Sequence, residues 1–188
     1  NFLTKKFNNK SFINNIKNLN QFRLTCWNFI YKKDFLKKKK IKFSNIRIFE
    51  EQIFLTKAII ESKTFEISKS PLYQRRIIDV NSLSAKVGFD VMISCVKNIH
   101  ELIKYYKIKQ HTLNKIEKLF IESRFTFLMK EIYKNIVLIK KQQIKEITKT
   151  IAKKYNFKKN KINTKTDLKE LFKDQKILNK LFFDKNKI

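Results

Sequence analysis

The sequence predicts a mainly α-helical chain, with an N-terminal helical bundle over residues 1–128 and a small C-terminal α/β region over 129–188. Three observations predict it. Apolar residues recur at helical spacing through roughly the first 130 positions. Ser70-Pro71 is a sharp helix-start signal, because serine satisfies an orphan amide and proline pre-sets φ at the first helical position. The pattern beyond residue 129 then becomes richer in β-branched and aromatic residues. A length of 188 residues suits one ordinary domain or two small ones.

Residues 12–31 carry Ile13, Ile16, Leu19, Phe22, Trp27 and Ile30 at amphipathic spacing, which predicts a helix with a possible break near Arg23. A basic connector follows over 32–43. A second helix is predicted over 46–61, with Asn45 as its cap and Phe49, Ile53, Ala58 and Ile60 among the buried candidates. A short helix is expected from Pro71 to Ile78, then a loop around Gly88. The next apolar stripe is Val91, Cys95, Ile99, Leu102, Ile103 and Tyr106. Thr112 is expected to cap a further helix, in which Leu113, Ile116, Leu119 and Phe120 share a face. Ile132-Tyr133 and Ile136–Ile139 suit a strand, and a helix almost equally well. Residues 141–155 read as a helix through Ile144, Ile147, Ile151 and Tyr155. Lys161–Thr166 and Ile177–Phe183 complete a strand, helix, strand, strand order.

Composition sets the function class. One glycine, one proline and three alanines stand against abundant Lys, Asn, Ile and Phe, the residues of AT-rich codons, so part of the net charge of +28 reflects mutational pressure in a protist or organelle lineage. The charge still attracts anions and resists self-association. All but five of the 44 basic residues are lysine; the arginines are Arg23, Arg47, Arg75, Arg76 and Arg124. Sequence-specific nucleic-acid readers rely on the arginine fork, whereas lysine gives a diffuse positive surface. The run Lys37–Lys40 is read as a solvated loop before a phosphate site. Cys26 and Cys95 lie far apart without a CxxC and read as buried free thiols in a reducing compartment. No apolar run reaches the roughly 18 residues of a spanning helix. The chain opens at Asn1 without methionine, which leaves open a cleaved or omitted leader.

Catalytic patterns are missing. His100 and His111 have no metal-ligand spacing, and one glycine cannot build a GxGxxG, Walker or nucleophile-elbow loop. Glu50-Glu51, Glu122 and Glu131 read as helix-surface acids, and Tyr105-Tyr106 and Phe182-Phe183 as core aromatics before base-stacking ones. The expectation is a chain that is not an enzyme, has no cofactor and no metal site, and works by holding other macromolecules together.

Several segments resemble, in order, one family. They are FRLTCWNFIYK (Phe22–Lys32), IIESKTFEISKSP (Ile59–Pro71), FDVMISCVKNIHELI (Phe89–Ile103), LNKIEKLF (Leu113–Phe120), IVLIKKQQIKEITKTIAKKYN (Ile136–Asn156), KINTKTDL (Lys161–Leu168) and ILNKLFFD (Ile177–Asp184). Their collinear spacing is similar to the oligomycin-sensitivity-conferring protein, or delta subunit, of F-type ATP synthases. The chain departs from that family in its basicity, in Leu171-Phe172 where a glycine pair is expected, and in lacking a clean copy of an Asn-Gly-Arg landmark. The resemblance implies a six-helix bundle joined to a smaller α/β region. It implies a peripheral-stalk (stator) subunit on the matrix side of the mitochondrial inner membrane. The bundle would grip N-terminal helices of the alpha subunits of the catalytic head, and the C-terminal part would hold the b-type peripheral-stalk subunit. Phe22, Trp27 and Ile30 are then candidates to line the groove for an alpha-subunit helix, with bundle core as the alternative. The runner-up is an organellar ribosomal protein that binds rRNA through lysine–phosphate contacts; an accessory respiratory-complex subunit is a third reading.

Overall fold

A computed structural model describes residues 3–18, 25–68, 88–136, 138–140 and 142–143. Within them the protein is mainly helical, with a two-stranded antiparallel sheet near the N-terminus. The order is β1 (Leu3–Asn8), α1 (Asn9–Asn18), a 3-10 turn (Cys26–Asn28), α2 (Lys33–Lys38), α3 (Glu51–Glu61), β2 (Thr64–Ser68), α4 (Phe89–Lys109) and α5 (Lys115–Ile136). The expected helix over 71–78, the helix over 141–155 apart from its helical residues 142–143, and the expected elements beyond it lie outside the described residues.

The strand pair is an addition to the helical bundle expected over residues 1–128. β1 and β2 pair with Phe7 opposite Phe65 and Asn8 opposite Thr64. Phe7 and Phe65 are half-buried against the core, so the pair serves as a small lid whose inner aromatics gain burial. β1 runs directly into α1 because Asn8 is its N-cap, its Oδ1 accepting the Ser11 amide at 2.8 Å. One turn on, Phe12 lies stacked on Phe65 at 3.9 Å with an interplanar angle of 4°. Asn9 reaches across to α3, where its Nδ2 donates to the carbonyls of Ile59 (2.9 Å), Ile60 (2.9 Å) and Ser62 (3.2 Å). Helix C-termini leave carbonyls without intrahelical partners, and a side chain from another element supplies them here.

α3 is buried nearly all round, with Ile53, Phe54, Leu55, Thr56, Ala58, Ile59 and Ile60 all inside. It begins at Glu51, later than the expected 46, and Asn45 does not cap it. The preceding segment alternates instead: Ile46 and Ile48 are buried while Arg47 is exposed. The chain bends at Asn45, Arg47 and Ile48 instead of running on as helix. Phe49 then turns the chain with φ +62, a left-handed conformation that costs a non-glycine residue about 1–2 kcal/mol. Its ring packs edge-on to Phe127 at 5.6 Å. Asn98, fully buried, holds this segment by donating to the Ile48 carbonyl at 3.3 Å.

α4 and α5 form an antiparallel hairpin around the main core. The stripe Val91, Cys95, Ile99, Leu102 and Ile103 is buried as expected, while Tyr106 is only half-buried and Tyr105 takes the inner place. Thr112 is not the cap of α5: its hydroxyl donates to the Lys109 carbonyl at 2.9 Å. Asn114 is the cap. Its Oδ1 accepts the amides of Ile116 and Glu117, and Glu117 Oε2 accepts the Asn114 amide at 2.9 Å, a reciprocal capping box. The buried stripe of α5 runs Ile121, Phe125, Leu128, Ile132 and Ile136, so Leu119, expected on the inner face, is turned outward at 37 % exposure.

The helix continues straight through the expected 128–129 boundary to Ile136. Ile132-Tyr133 is therefore helical and not a strand. β-branched residues lose little in a helix when they complete a packed stripe, and Ile132 and Ile136 are both fully buried against α4. At the same end of the hairpin, Gly88 has φ +89 and its amide donates to Asn135 Oδ1 at 2.6 Å, which ties the start of α4 to the end of α5.

Asn9→Ala removes three bonds at once and leaves partly buried carbonyls unpaired. It is expected to lower stability by about 1–3 kcal/mol, read as a reduced urea midpoint at unchanged m-value. An unshifted midpoint would mean that the α1–α3 bridge contributes nothing.

Candidate functional site

Residues 25–43 form a strap across one side of α3, and the sequence-derived site residues lie on it. The strap is held by a second hydrophobic cluster in which Cys26, Tyr31, Phe35 and Leu36 pack around Ile41, Phe54 and Ala58. Phe54 is its centre: Phe43 stacks parallel to it at 4.1 Å and Tyr31 meets it edge-on at 5.1 Å. The Tyr31 hydroxyl donates to the Cys26 carbonyl at 3.3 Å.

The end of α2 explains why the lysine run faces outward. Lys40 adopts φ +52, and two backbone bonds close around it, Ile41 amide to Leu36 carbonyl at 2.9 Å and Lys40 amide to Lys37 carbonyl at 3.1 Å. This is a Schellman ending, with lysine in the left-handed position that glycine usually fills and with Leu36 and Ile41 in apolar contact. Turning Ile41 inward leaves Lys37, Lys38, Lys39 and Lys40 all exposed.

A polar hub pins the strap to the ends of α3 and α4. Glu61 Oε2 meets Lys39 Nζ at 2.9 Å, and Glu61 Oε1 meets Lys109 Nζ at 2.7 Å and accepts the Tyr105 hydroxyl at 3.1 Å. Burial by itself pushes the Glu61 carboxyl up. The hydrogen bonds from Lys109 and Lys39, the Lys109 charge and the Tyr105 hydroxyl outweigh it, and hold Glu61 below the usual carboxylate range. Burial and the Glu61 charge raise the Tyr105 phenol in turn.

The sequence-derived site residues fare unequally. Phe22 lies outside the described residues. Trp27 sits on the 3-10 turn at 37 % exposure and Ile30 is 85 % exposed. Neither is on an α-helix, so the helix expected over 12–31, with its possible break near Arg23, is corrected in its second half: α1 spans Asn9–Asn18, Cys26–Asn28 is a 3-10 turn, and residues 29–32 are non-helical. The reason is again a period of two. Phe29 turns toward Phe12, Tyr31 toward Phe54, and Ile30 between them faces out. Phe43, which sequence reasoning missed, is 52 % exposed although one ring face is stacked on Phe54. Trp27, Ile30 and Phe43 thus share one strap with seven exposed lysines (32, 33, 37–40 and 42) and one acid, Asp34. Among the described residues, Lys39 alone of these lysines has a carboxylate partner.

Burial, reinforced by Glu51 and Glu50, raises the Cys26 thiol, and burial raises Cys95, so neither is poised as a thiolate. Cys95 is buried as expected, whereas Cys26 is only half-buried. Glu51, read as a surface acid, is instead buried at the start of α3, and burial raises its carboxyl. Gln52 Nε2 donates to its Oε1 at 3.3 Å. His111 is exposed and His100 half-buried. Among the described residues no group of three His, Cys, Asp or Glu side chains is placed to hold a metal. No helix among them is long and apolar enough to cross a membrane. Compared with known proteins, the chain matches no family model, no curated protein and no solved structure.

Two outcomes follow from the strap's anchors. Lys40→Gly relieves the left-handed backbone and is expected to raise stability by about 1 kcal/mol, read by denaturant unfolding; a loss of stability would contradict the Schellman assignment. For Glu61 the folded-state value is depressed. Its contribution is therefore complete above the ordinary glutamate value of about 4.3 and is lost as pH falls through the folded value. The stability difference between the wild type and Glu61→Gln should shrink as pH drops from about 6 to about 3. A difference that stays constant or grows over that range would refute the hub's electrostatics.

Proposed function

We propose that the chain is a non-catalytic peripheral-stalk subunit of a mitochondrial F-type ATP synthase. It would work on the matrix side of the inner membrane and link the catalytic head to the b-type stalk subunit. The reading rests on the collinear resemblance from Phe22 to Asp184 and on a helical body of the expected class. The observation that carries it is the strap: Trp27 and Ile30 face outward on a support anchored at both a hydrophobic cluster and an ionic hub. A stator must transmit torque without yielding, and contact residues are best mounted on such a support. The apolar side chains offer the contact for an amphipathic N-terminal helix of an alpha subunit, and the C-terminal region is assigned to the b-type subunit.

A second reading, an organellar ribosomal protein, is favoured by one observation: six strap lysines without a carboxylate partner share the strap with Phe43, which is 52 % exposed although its ring is stacked on Phe54. That arrangement suits a phosphate backbone with an adjacent base.

The full chain carrying Trp27→Ala decides between them. Trp27 is 37 % exposed, so the variant should melt cooperatively and lose well under the roughly 3–5 kcal/mol of a core aromatic. Its affinity for an alpha-subunit N-terminal peptide should fall about thirtyfold, as for an interface anchor worth about 2 kcal/mol. Co-purification of the native chain with ATPase activity would accompany this result. Failure of the wild-type chain to bind the peptide, with recovery of the chain on rRNA in a salt-dependent manner, would replace the stator reading by the ribosomal one.

A further inference from the structure

Arg124 stands apart from every other cation described. It lies midway along α5, partly buried, with its guanidinium carbon 5.6 Å from the Phe120 ring centroid and 6.0 Å from that of Phe127. Phe120 is buried, and Phe127 is itself held edge-on by Phe49. Burial lowers the Arg124 pKa, with no carboxylate to offset it. A guanidinium carries five N–H donors. Arg124 uses one, from Nε to Ser123 Oγ at 3.3 Å, and forms no ion pair among the described residues. Of the acids on α5, Glu117 caps Asn114, Glu131 pairs with Lys134 at 2.7 Å, and Glu122 is exposed; none of them forms an ion pair with Arg124.

A desolvated cation with idle donors is complementary to an anion, and the planar fork fits a carboxylate or a phosphate in two-point contact. The surroundings separate these two. From Phe120 to Leu128 the charged residues are Glu122 and Arg124 alone, so no second cation within a turn on α5 would help to follow a polyphosphate chain. Apolar rings flank the guanidinium instead. We infer that Arg124, with Phe127 and Phe49, is a docking site for an acidic peptide segment, taking one carboxylate carried beside an apolar or aromatic side chain. The site is on α5, not on the strap, and stands independently of the stator reading.

The test uses the 15N-labelled full chain and three probes: 3-phenylpropionate (carboxylate with ring), inorganic phosphate, and 3-phenylpropanol (ring without charge). The Nε–Hε resonance of Arg124, identified by its loss in Arg124→Lys, is followed at constant ionic strength. Phenylpropionate should shift it saturably, phosphate should shift it less, and phenylpropanol should leave it in place. Arg124→Lys keeps the charge and loses the fork, so the phenylpropionate Kd, read at the Phe127 amide, should rise about tenfold or more at unchanged Tm. Three results would overturn the inference: no saturable shift with phenylpropionate, a phosphate shift as large as the carboxylate's, or wild-type affinity in Arg124→Lys.

Discussion

α3 buries side chains in every direction around its axis, from Ile53 and Phe54 through Ala58 to Ile60. A helix of that kind is stable only when each face is covered, and the rest of the described structure can be derived from that demand. α4 and α5 cover one side with their joint stripe. α1 and β1 close the C-terminal end through Asn9 and Phe12. The strap from Thr25 to Phe43 covers the side that carries Phe54 and Ala58. Because the strap's inner residues are spent on that cover, its outer residues are free to be lysine and exposed apolar groups. The candidate docking surface is thus a consequence of how the central helix is shielded.

Polar side-chain bonds fix where the apolar elements stop and start. Asparagine does much of this: Asn8 and Asn114 cap helices, Asn9 takes up the last carbonyls of α3, Asn98 holds the Ile48 carbonyl, and Asn135 holds the Gly88 amide. The amide side chain both donates and accepts, so it can serve either end of a helix. Glycine and proline are scarce in this chain and asparagine is abundant, and the fold uses asparagine for punctuation. Lys40 shows the corresponding cost, since it occupies a left-handed position that glycine would fill without strain.

Charge is distributed unevenly over this framework. On the strap, lysines lie in solvent and one of them, Lys39, is drawn into the Glu61 hub. On α5, Arg124 is flanked by rings and is unpaired by any described acid. The two environments suit different partners, because an array of solvated ammonium groups attracts anions without selecting them, whereas a partly desolvated fork selects for shape.

The sequence by itself determined the elements whose stabilising contacts repeat along one helix. The α4 stripe from Val91 to Ile103, the helical class of the chain and the outward-facing lysine run were all legible from spacing. It also placed Trp27 and Ile30 among the contact candidates, though on an α-helix, where the structure has a 3-10 turn and non-helical backbone. Tertiary structure decided what depended on distant partners. β1 exists because β2 lies some sixty residues away to pair with it and because Phe12 stacks on Phe65. α5 runs through Ile132 because α4 rewards its β-branched residues with full burial. Ile30 faces out because Phe12 and Phe54 draw its two neighbours inward, and Phe43 joins the surface because Phe54 occupies only one side of its ring. The α2 ending was hidden for a chemical reason: its signal is a glycine, and lysine stands there instead. Local periodicity is written in a single segment, whereas the choice between helical and non-helical backbone at 29–32 and 46–50 was set by which buried face each side chain had available to fill.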